Sequence, residues 1–294
     1  MIKLRSCIGA VVFASCMGPV AAQVTWTLTG GTFDLTNSAT NYTVGTVSGV
    51  SLGLTAYANT RGDDSVANDS QKVEQQIGVS QVIGSATHRI GINDYASDGV
   101  GIVNKDGCSF TTTAQTTLCD TGEATAPEPA LDNNQRYEMI LLSFGSAKVS
   151  LTALNLGYVN TDSDMTIMAY TGGGNALTDL QSGLKTWSDF GAGGTSATLA
   201  GSLGWKALAN FDGGTGQGAT AGNRTIVSNG IASSYWLIGA YNPLANPIGG
   251  TLNGGLDYMK VSSVSGNVVP EPGSLALLAA ALLGMVAVRQ RKKA

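Results

Sequence analysis

The stretch "VNTDSDM" (159–165) sets two carboxylates, Asp162 and Asp164, two residues apart at the entrance to an apolar run. In extended backbone, side chains two apart point the same way. Both can therefore face one hard cation, with loop carbonyls supplying the further oxygens that Ca²⁺ requires. Aspartate also favours turns on its own account, and this stretch reads as a turn. Asp132, Asn133 and Asn134 form a similar oxygen-rich set.

Other residue patterns invite catalytic readings, and each meets an obstacle. "GVSLG" (49–53) matches Gly-x-Ser-x-Gly, with Ser51 in the nucleophile position. A hydrolase elbow needs a strand, a sharp turn and a helix. Here the match runs through an alternating strand, with Ser51 on its polar face. A Ser-His-Asp triad would have to recruit His88, the sole histidine, and "THRIGIN" reads as one half-buried side of a strand. Glycoside hydrolysis needs two placed carboxylates. Glutamates are scarce, Glu74, Glu123, Glu128 and Glu138, and nothing sets Glu123 or Glu128, in the long loop, in an apolar pocket that would tune it. The expectation is a protein that is not an enzyme. "DGGTGQG" (212–218) lacks the lysine and the strand-to-helix setting of a phosphate loop.

The elements that hold these residues read as β. Glycine makes up 40 of 294 residues and only 12% are charged. Turn chemistry separates short alternating runs. In "VTWTLT", Val24, Trp26 and Leu28 face one way; in "VSLGLTAY", Val50, Leu52, Leu54 and Ala56 do. "YEMILLSF" (137–144) and "AKVSLTALNLGYV" (147–159), separated by Gly145-Ser146, read as a hairpin. "DMTIMAY" (164–170) and "SSYWLIGAY" (233–241) are apolar on both faces and belong at a sheet centre, and "LDYMKVSSVSG" (256–266) closes the domain. One helical pattern survives in "NALTDLQSGLKTW": Leu177, Leu180, Leu184 and Trp187 share a face, weakened by Gly183, so one short helix or an irregular crossing both fit. The Thr-rich and then Ala/Pro-rich stretch 105–134 reads as a long excursion. The expected fold is an all-β antiparallel sandwich spanning 23–269.

The two ends are of another kind. "MIKLRSCIGAVVFASCMGPVAAQ" has Lys3 and Arg5, an apolar stretch, then Val20, Ala21 and Ala22. This is a signal peptide, residues 1–22, cleaved after Ala22. It leaves two cysteines in the mature chain, Cys108 and Cys119, which an oxidising compartment would join. Such a loop contributes about 3 kcal/mol. At the other end, Pro270, Glu271 and Pro272 precede an apolar run, Leu275 to Val288, and then Arg289, Arg291, Lys292 and Lys293. Those 14 residues would rise about 21 Å as a helix, against ~30 Å of hydrocarbon. The segment suits a short transmembrane helix that anchors transiently, its cations on the cytoplasmic side. The ends hold six of the 16 bases and one of the 20 acids, so the remainder carries 10 against 19, a net charge of about −9. That balance excludes nucleic acid as a partner and opposes attraction to anionic lipid.

The order of Pro-Glu-Pro, apolar run and basic cluster resembles the PEP-CTERM sorting tail of exosortase substrates. The resemblance covers 270–294. It implies export by a Gram-negative bacterium, processing by exosortase during a transient stay in the inner membrane, and release to the cell surface or outside. A second resemblance lies in "ALDNNQRYEMILLSF", "VSLTALNLGYVNTDSDMTIMAY" and "SSYWLIGAYNP". These are similar to the body of exosortase-dependent surface proteins and, in general architecture, to galactose-binding-like jelly rolls. It implies a matrix role and carries over no catalytic residue.

The expected function is a structural, non-catalytic component of biofilm or exopolysaccharide, with calcium as its one candidate cofactor. A carbohydrate-binding module is the alternative. It would need exposed aromatics in a row, drawn from Trp26, Trp187, Trp205, Trp236, Tyr235 and Tyr241. A secreted hydrolase is the second alternative.

Overall fold

The computed structural model describes residues 23–29, 42–61, 76–84, 98–103, 130–134, 136–182, 184–190, 203–211, 221–245, 252, 255–270, 282–285 and 289. Among these are thirteen strands and two short helices. The strands are β1 (Gln23–Thr27), β2 (Tyr42–Val47), β3 (Val50–Arg61), β4 (Gln76–Gly84), β5 (Val100–Val103), β6 (Leu131–Asp132), β7 (Glu138–Ser143), β8 (Lys148–Thr161), β9 (Met165–Tyr170), β10 (Trp205–Phe211), β11 (Gly222–Thr225), β12 (Tyr235–Ala240) and β13 (Asp257–Val269). The helices are α1 (Ala176–Ser182) and α2 (Trp187–Phe190).

The strands form two antiparallel sheets, so the fold is all-β. One sheet runs β10-β9-β12-β7-β3, with β2 also on β3. The other runs β5-β13-β8-β11, with β1 and β6 also on β13. Strand β4 joins them, pairing β3 in the first and β5 in the second.

Alternation builds the core. On β1 the burial repeats with period two, placing Val24 and Trp26 inward. On β3, Leu52, Leu54 and Ala56 face the partner sheet. With Ile140, Leu142, Ile167, Trp236, Leu151, Leu154, Met259 and Val264 they fill the space between the layers. Trp26 packs on Phe144 at 4.9 Å between ring centroids. A second cluster covers the outer face of the first sheet. There Trp187, Phe190 and Leu180 from the helices cover Tyr57, Met139, Leu141 and Trp205. Strands β7, β9 and β12 are thus buried on both faces, as their unbroken apolar runs require.

One local expectation fails. Strands β7 and β8 do not form a hairpin: β7 pairs β3 and β12, whereas β8 pairs β13 and β11. At Gly145, in the left-handed region at φ 63°, the chain crosses from one layer to the other. The reason is burial. β7 is apolar on both faces and needs neighbours on both edges and both sides, while alternating β8 belongs to a sheet with one wet face. The helical pattern, for which one short helix or an irregular crossing both fit, forms two short helices, α1 and α2. Leu184 is 70% exposed, and only Leu180 and Trp187 of the proposed apolar stripe are buried.

Several expected features lie outside the described residues: the signal peptide 1–22, the excursion through residue 129, Cys108 and Cys119, and His88. The end of the excursion is ordered into the sheet, where Leu131 and Asp132 pair with Met259 and Tyr258. Most of 275–288 also lies outside. Within it, 282–285 is a turn of exposed helix. Among the described residues, no helix is long and apolar enough to cross a membrane.

Candidate functional site

The structure brings three carboxylates together at one end of the sandwich. Asp162 and Asp164 flank Ser163 in the link from β8 to β9, and Asp257 opens β13. Each offers a carboxylate oxygen, and these oxygens all lie within 4.8 Å of one another. That is about twice a Ca²⁺–oxygen distance, the span of ligands on opposite sides of one ion. All three residues are buried, with Asp164 fully so.

Local backbone features hold them there. The end of β8 turns at Thr161, a left-handed non-glycine residue at φ 61°. Its hydroxyl donates to the carbonyl of Leu256 at 2.6 Å, pinning the start of β13 to this turn. Asp162 and Asp257 form a single parallel bridge in an otherwise antiparallel sheet, and Tyr258 N–H donates to the Asp162 carbonyl at 3.1 Å. The Asp257 side chain is clamped from both sides. Asp164 N–H donates to Oδ1 at 2.8 Å, and Asn133 Nδ2 donates to Oδ2 at 2.6 Å. Asn133 Oδ1 in turn accepts from Asp257 N–H at 2.9 Å, and its amide also donates to the Tyr241 carbonyl. Tyr241 N–H donates to the Asp164 carbonyl at 2.9 Å. Four chain segments thus converge, with Asn133 and Asp257 124 positions apart in sequence.

The electrostatics follow. The Asp257 carboxyl is pushed up from 3.8 to about 8. Burial is the largest cause, and the negative charges of Asp164 and Asp162 add to it. The hydrogen bonds from Asp164 N–H and Asn133 work the other way. The Tyr241 hydroxyl is also raised, by burial and by the charges of Asp164 and Asp257. Buried like charges are relieved by binding a proton or a cation. Asp162, Asp164 and Asp257 are the residues able to hold such a cation, with Asn133 orienting Asp257.

Of the two oxygen-rich sets in the sequence, Asp162/Asp164 and Asp132/Asn133/Asn134, the structure makes one neighbourhood. Asp132 is turned within its own loop, where Oδ1 accepts from Asn134 N–H at 2.9 Å, and its N–H donates to buried Glu138 at 3.3 Å. Asp257 had no distinguishing signal in sequence: an aspartate before Tyr258 at a strand start resembles any turn residue, and its partners are 93 and 124 positions away.

Among the described residues, the catalytic candidates Ser51 and Glu138 lie towards opposite ends of the paired strands β3 and β7. Ser51 lies in β3 beyond the tight turn at Ser48-Gly49, exposed, with its hydroxyl bonded to that of Thr46 at 2.6 Å. Glu138 is fully buried. Glu74, Glu123, Glu128 and "DGGTGQG" lie outside the described residues. The aromatic pool is mostly core, since Trp26, Trp187, Trp205 and Trp236 are all 0% exposed. Three of their indole N–H groups donate to backbone carbonyls, those of Val50, Tyr137 and Val149.

At the chain's end, β13 runs to Val269 and Pro270 follows at once. Arg289 is exposed, and Glu271, Pro272, Arg291, Lys292 and Lys293 lie outside the described residues. The family model of the PEP-CTERM protein-sorting motif matches residues 268–292. The chain carries a PEP-CTERM sorting tail. The tail is a substrate signal for exosortase and implies export and a transient membrane stage in a Gram-negative bacterium. No curated protein and no solved structure matches the chain.

Proposed function

We propose that this PEP-CTERM protein is a structural, non-catalytic component of the cell surface or the extracellular matrix, in contact with exopolysaccharide after exosortase has trimmed it. The observation that carries this reading is the burial of every tryptophan in the chain. A sugar-binding platform spends its large rings on an exposed face. Here the rings fill the two cores, and the N–H groups of Trp26, Trp187 and Trp236 are turned to backbone carbonyls. Mass spectrometry of fractions from the native host, with and without exosortase, tests the reading. The expected product is a chain trimmed at both ends, outside the cell, only when exosortase is present. A reduced, full-length chain in the cytosol refutes it.

The cluster of Asp162, Asp164 and Asp257 is proposed as a calcium site that stiffens the sandwich at one end. Its support is the convergence of three buried carboxylates within reach of one ion. Calcium titration of chelator-treated protein by calorimetry tests it. Saturable binding that is lost in Asp164→Asn is expected, and heat identical to that of calcium injected into buffer without protein refutes it.

A further inference from the structure

The outer face of the first sheet has a hollow where β2, β3 and β7 meet α1. Its volume is about 180 Å³. A cavity of about 150 Å³ holds one benzene ring, so this one takes a single six-membered ring with small substituents. The strand register explains the gap. Thr43 of β2, Gly53 of β3 and Ser143 of β7 stand in one row across the sheet. Leu52 and Leu54 lie in the inner core, so alternation turns position 53 outward. Glycine puts no side chain there. Its backbone is not left-handed, so no turn geometry requires glycine at this place. A glycine inside a strand weakens it, and marks a point where another group approaches closely. The neighbouring strand carries a second irregularity, since β2 is bulged between Thr43 and Gly45. Bulges re-aim side chains and gather beside functional sites.

The lining suits a ring with polar edges. Thr55 and Leu141 form the next row, and both are buried. Leu177 and Gln181, one helical turn apart on α1, border the hollow from the other side. Thr43 and Gln181 are exposed at its rim, and Ser143 is half-buried. Three hydroxyls and one primary amide therefore line it, and each of these groups both donates and accepts. Leu141 and Leu177 add apolar walls. An apolar occupant would strand the polar groups, and a charged one would meet no counter-charge, since none of the lining residues is charged. A sugar ring matches both kinds of surface, with hydroxyls round its edge and C–H groups on its faces. Half-buried Tyr235 stands next in the row, opposite Ser143. Such a hollow grips one ring at a time and does without the exposed tryptophans of a platform.

We infer that the hollow over Gly53 binds one neutral pyranose unit of a polysaccharide. The inference deepens the matrix reading: it rests on the contact with exopolysaccharide and names the point of contact.

The full chain in lipid nanodiscs is titrated with the methyl β-pyranosides of glucose, galactose, mannose and N-acetylglucosamine, and with methyl glucuronide as the charged control. Saturation-transfer NMR reads the binding. At least one neutral glycoside is expected to bind saturably, with a dissociation constant on the order of 1 mM, and the glucuronide is not. Gly53→Val places a β-branched side chain, suited to a strand, in the hollow. It should abolish binding while keeping the circular dichroism of the parent. Gln181→Ala changes an exposed helix residue and should weaken binding about fivefold. Absence of binding by every neutral glycoside overturns the inference. So does equal binding of the glucuronide, or parental affinity in either variant. Sedimentation with exopolysaccharide from the native host separates this inference from the reading beneath it. If the parent and Gly53→Val sediment equally, the hollow is overturned and the matrix contact stands. If the parent stays in solution, the matrix contact is overturned and the inference with it.

Discussion

Asp257 makes the cluster sensitive to pH in a direction opposite to a salt-bridged aspartate, whose carboxyl is held below its free value. Its folded-state carboxyl titrates near 8, against 3.8 for the free group. Between these values the folded chain holds a proton that the unfolded chain has released. Stability in the absence of cations therefore falls as pH rises through this window, with a limiting slope of about 1.4 kcal/mol per pH unit. The stabilising contribution is complete below pH 3.8 and is lost by the time pH passes about 8. The proton belongs to three neighbouring carboxylates, so the transition should be broad. Urea unfolding of chelator-treated protein at pH 5, 6, 7 and 8 reads this slope directly. Asp257→Asn should flatten it. The variant keeps an acceptor for Asp164 N–H, but turns an amide N–H₂ towards the Asn133 amide, which is already committed to the Tyr241 carbonyl. A pH-independent loss of about 1–3 kcal/mol is therefore expected alongside the flattening. Calcium should oppose the loss at high pH, because it favours the ionised form. Stability that is flat or rising from pH 5 to 8, or an Asp257→Asn variant with the parental slope, would refute the reasoning.

Saturating calcium, at a hundredfold over its dissociation constant, should add about 2.7 kcal/mol at pH 8, measured by the same unfolding curves. Trp26→Ala removes a fully buried ring that packs on Phe144 and donates to the Val50 carbonyl; a loss of about 3–5 kcal/mol is expected. Gly99 sits at φ 93°, and a methyl there would collide with the Val261 carbonyl oxygen. Gly99→Ala should therefore cost more than the about 1 kcal/mol typical of a point substitution, whereas Leu184→Ser, at an exposed position, should stay within about 0.5 kcal/mol of the parent. Ser51→Ala should leave any background turnover of esters and glycosides unchanged in a hydrolysis panel, since the Ser51 hydroxyl is engaged with Thr46 on an open strand.

The sequence by itself determined what is written locally. Period two marked β1 and β3, because alternation is a property of one strand and its two faces. Apolar runs marked β9 and β12 as buried on both sides. The sorting tail was legible because its three parts act in order along the chain and need no partner in the fold. The layer crossing at Gly145 was not legible, since a short turn between two strands looks the same whether they pair or separate. Nor was the exposure of Leu184, which a helical pattern cannot reveal once the helix is interrupted. The acidic centre shows the division most clearly. Asp162 and Asp164 could be found from their spacing. Asp257 and Asn133 join them only because β13 threads the middle of a sheet and returns its first residue to the end of β8. Local spacing is fixed by covalent geometry, whereas convergence across a hundred residues is fixed by strand pairing, which is decided when both layers bury their cores together.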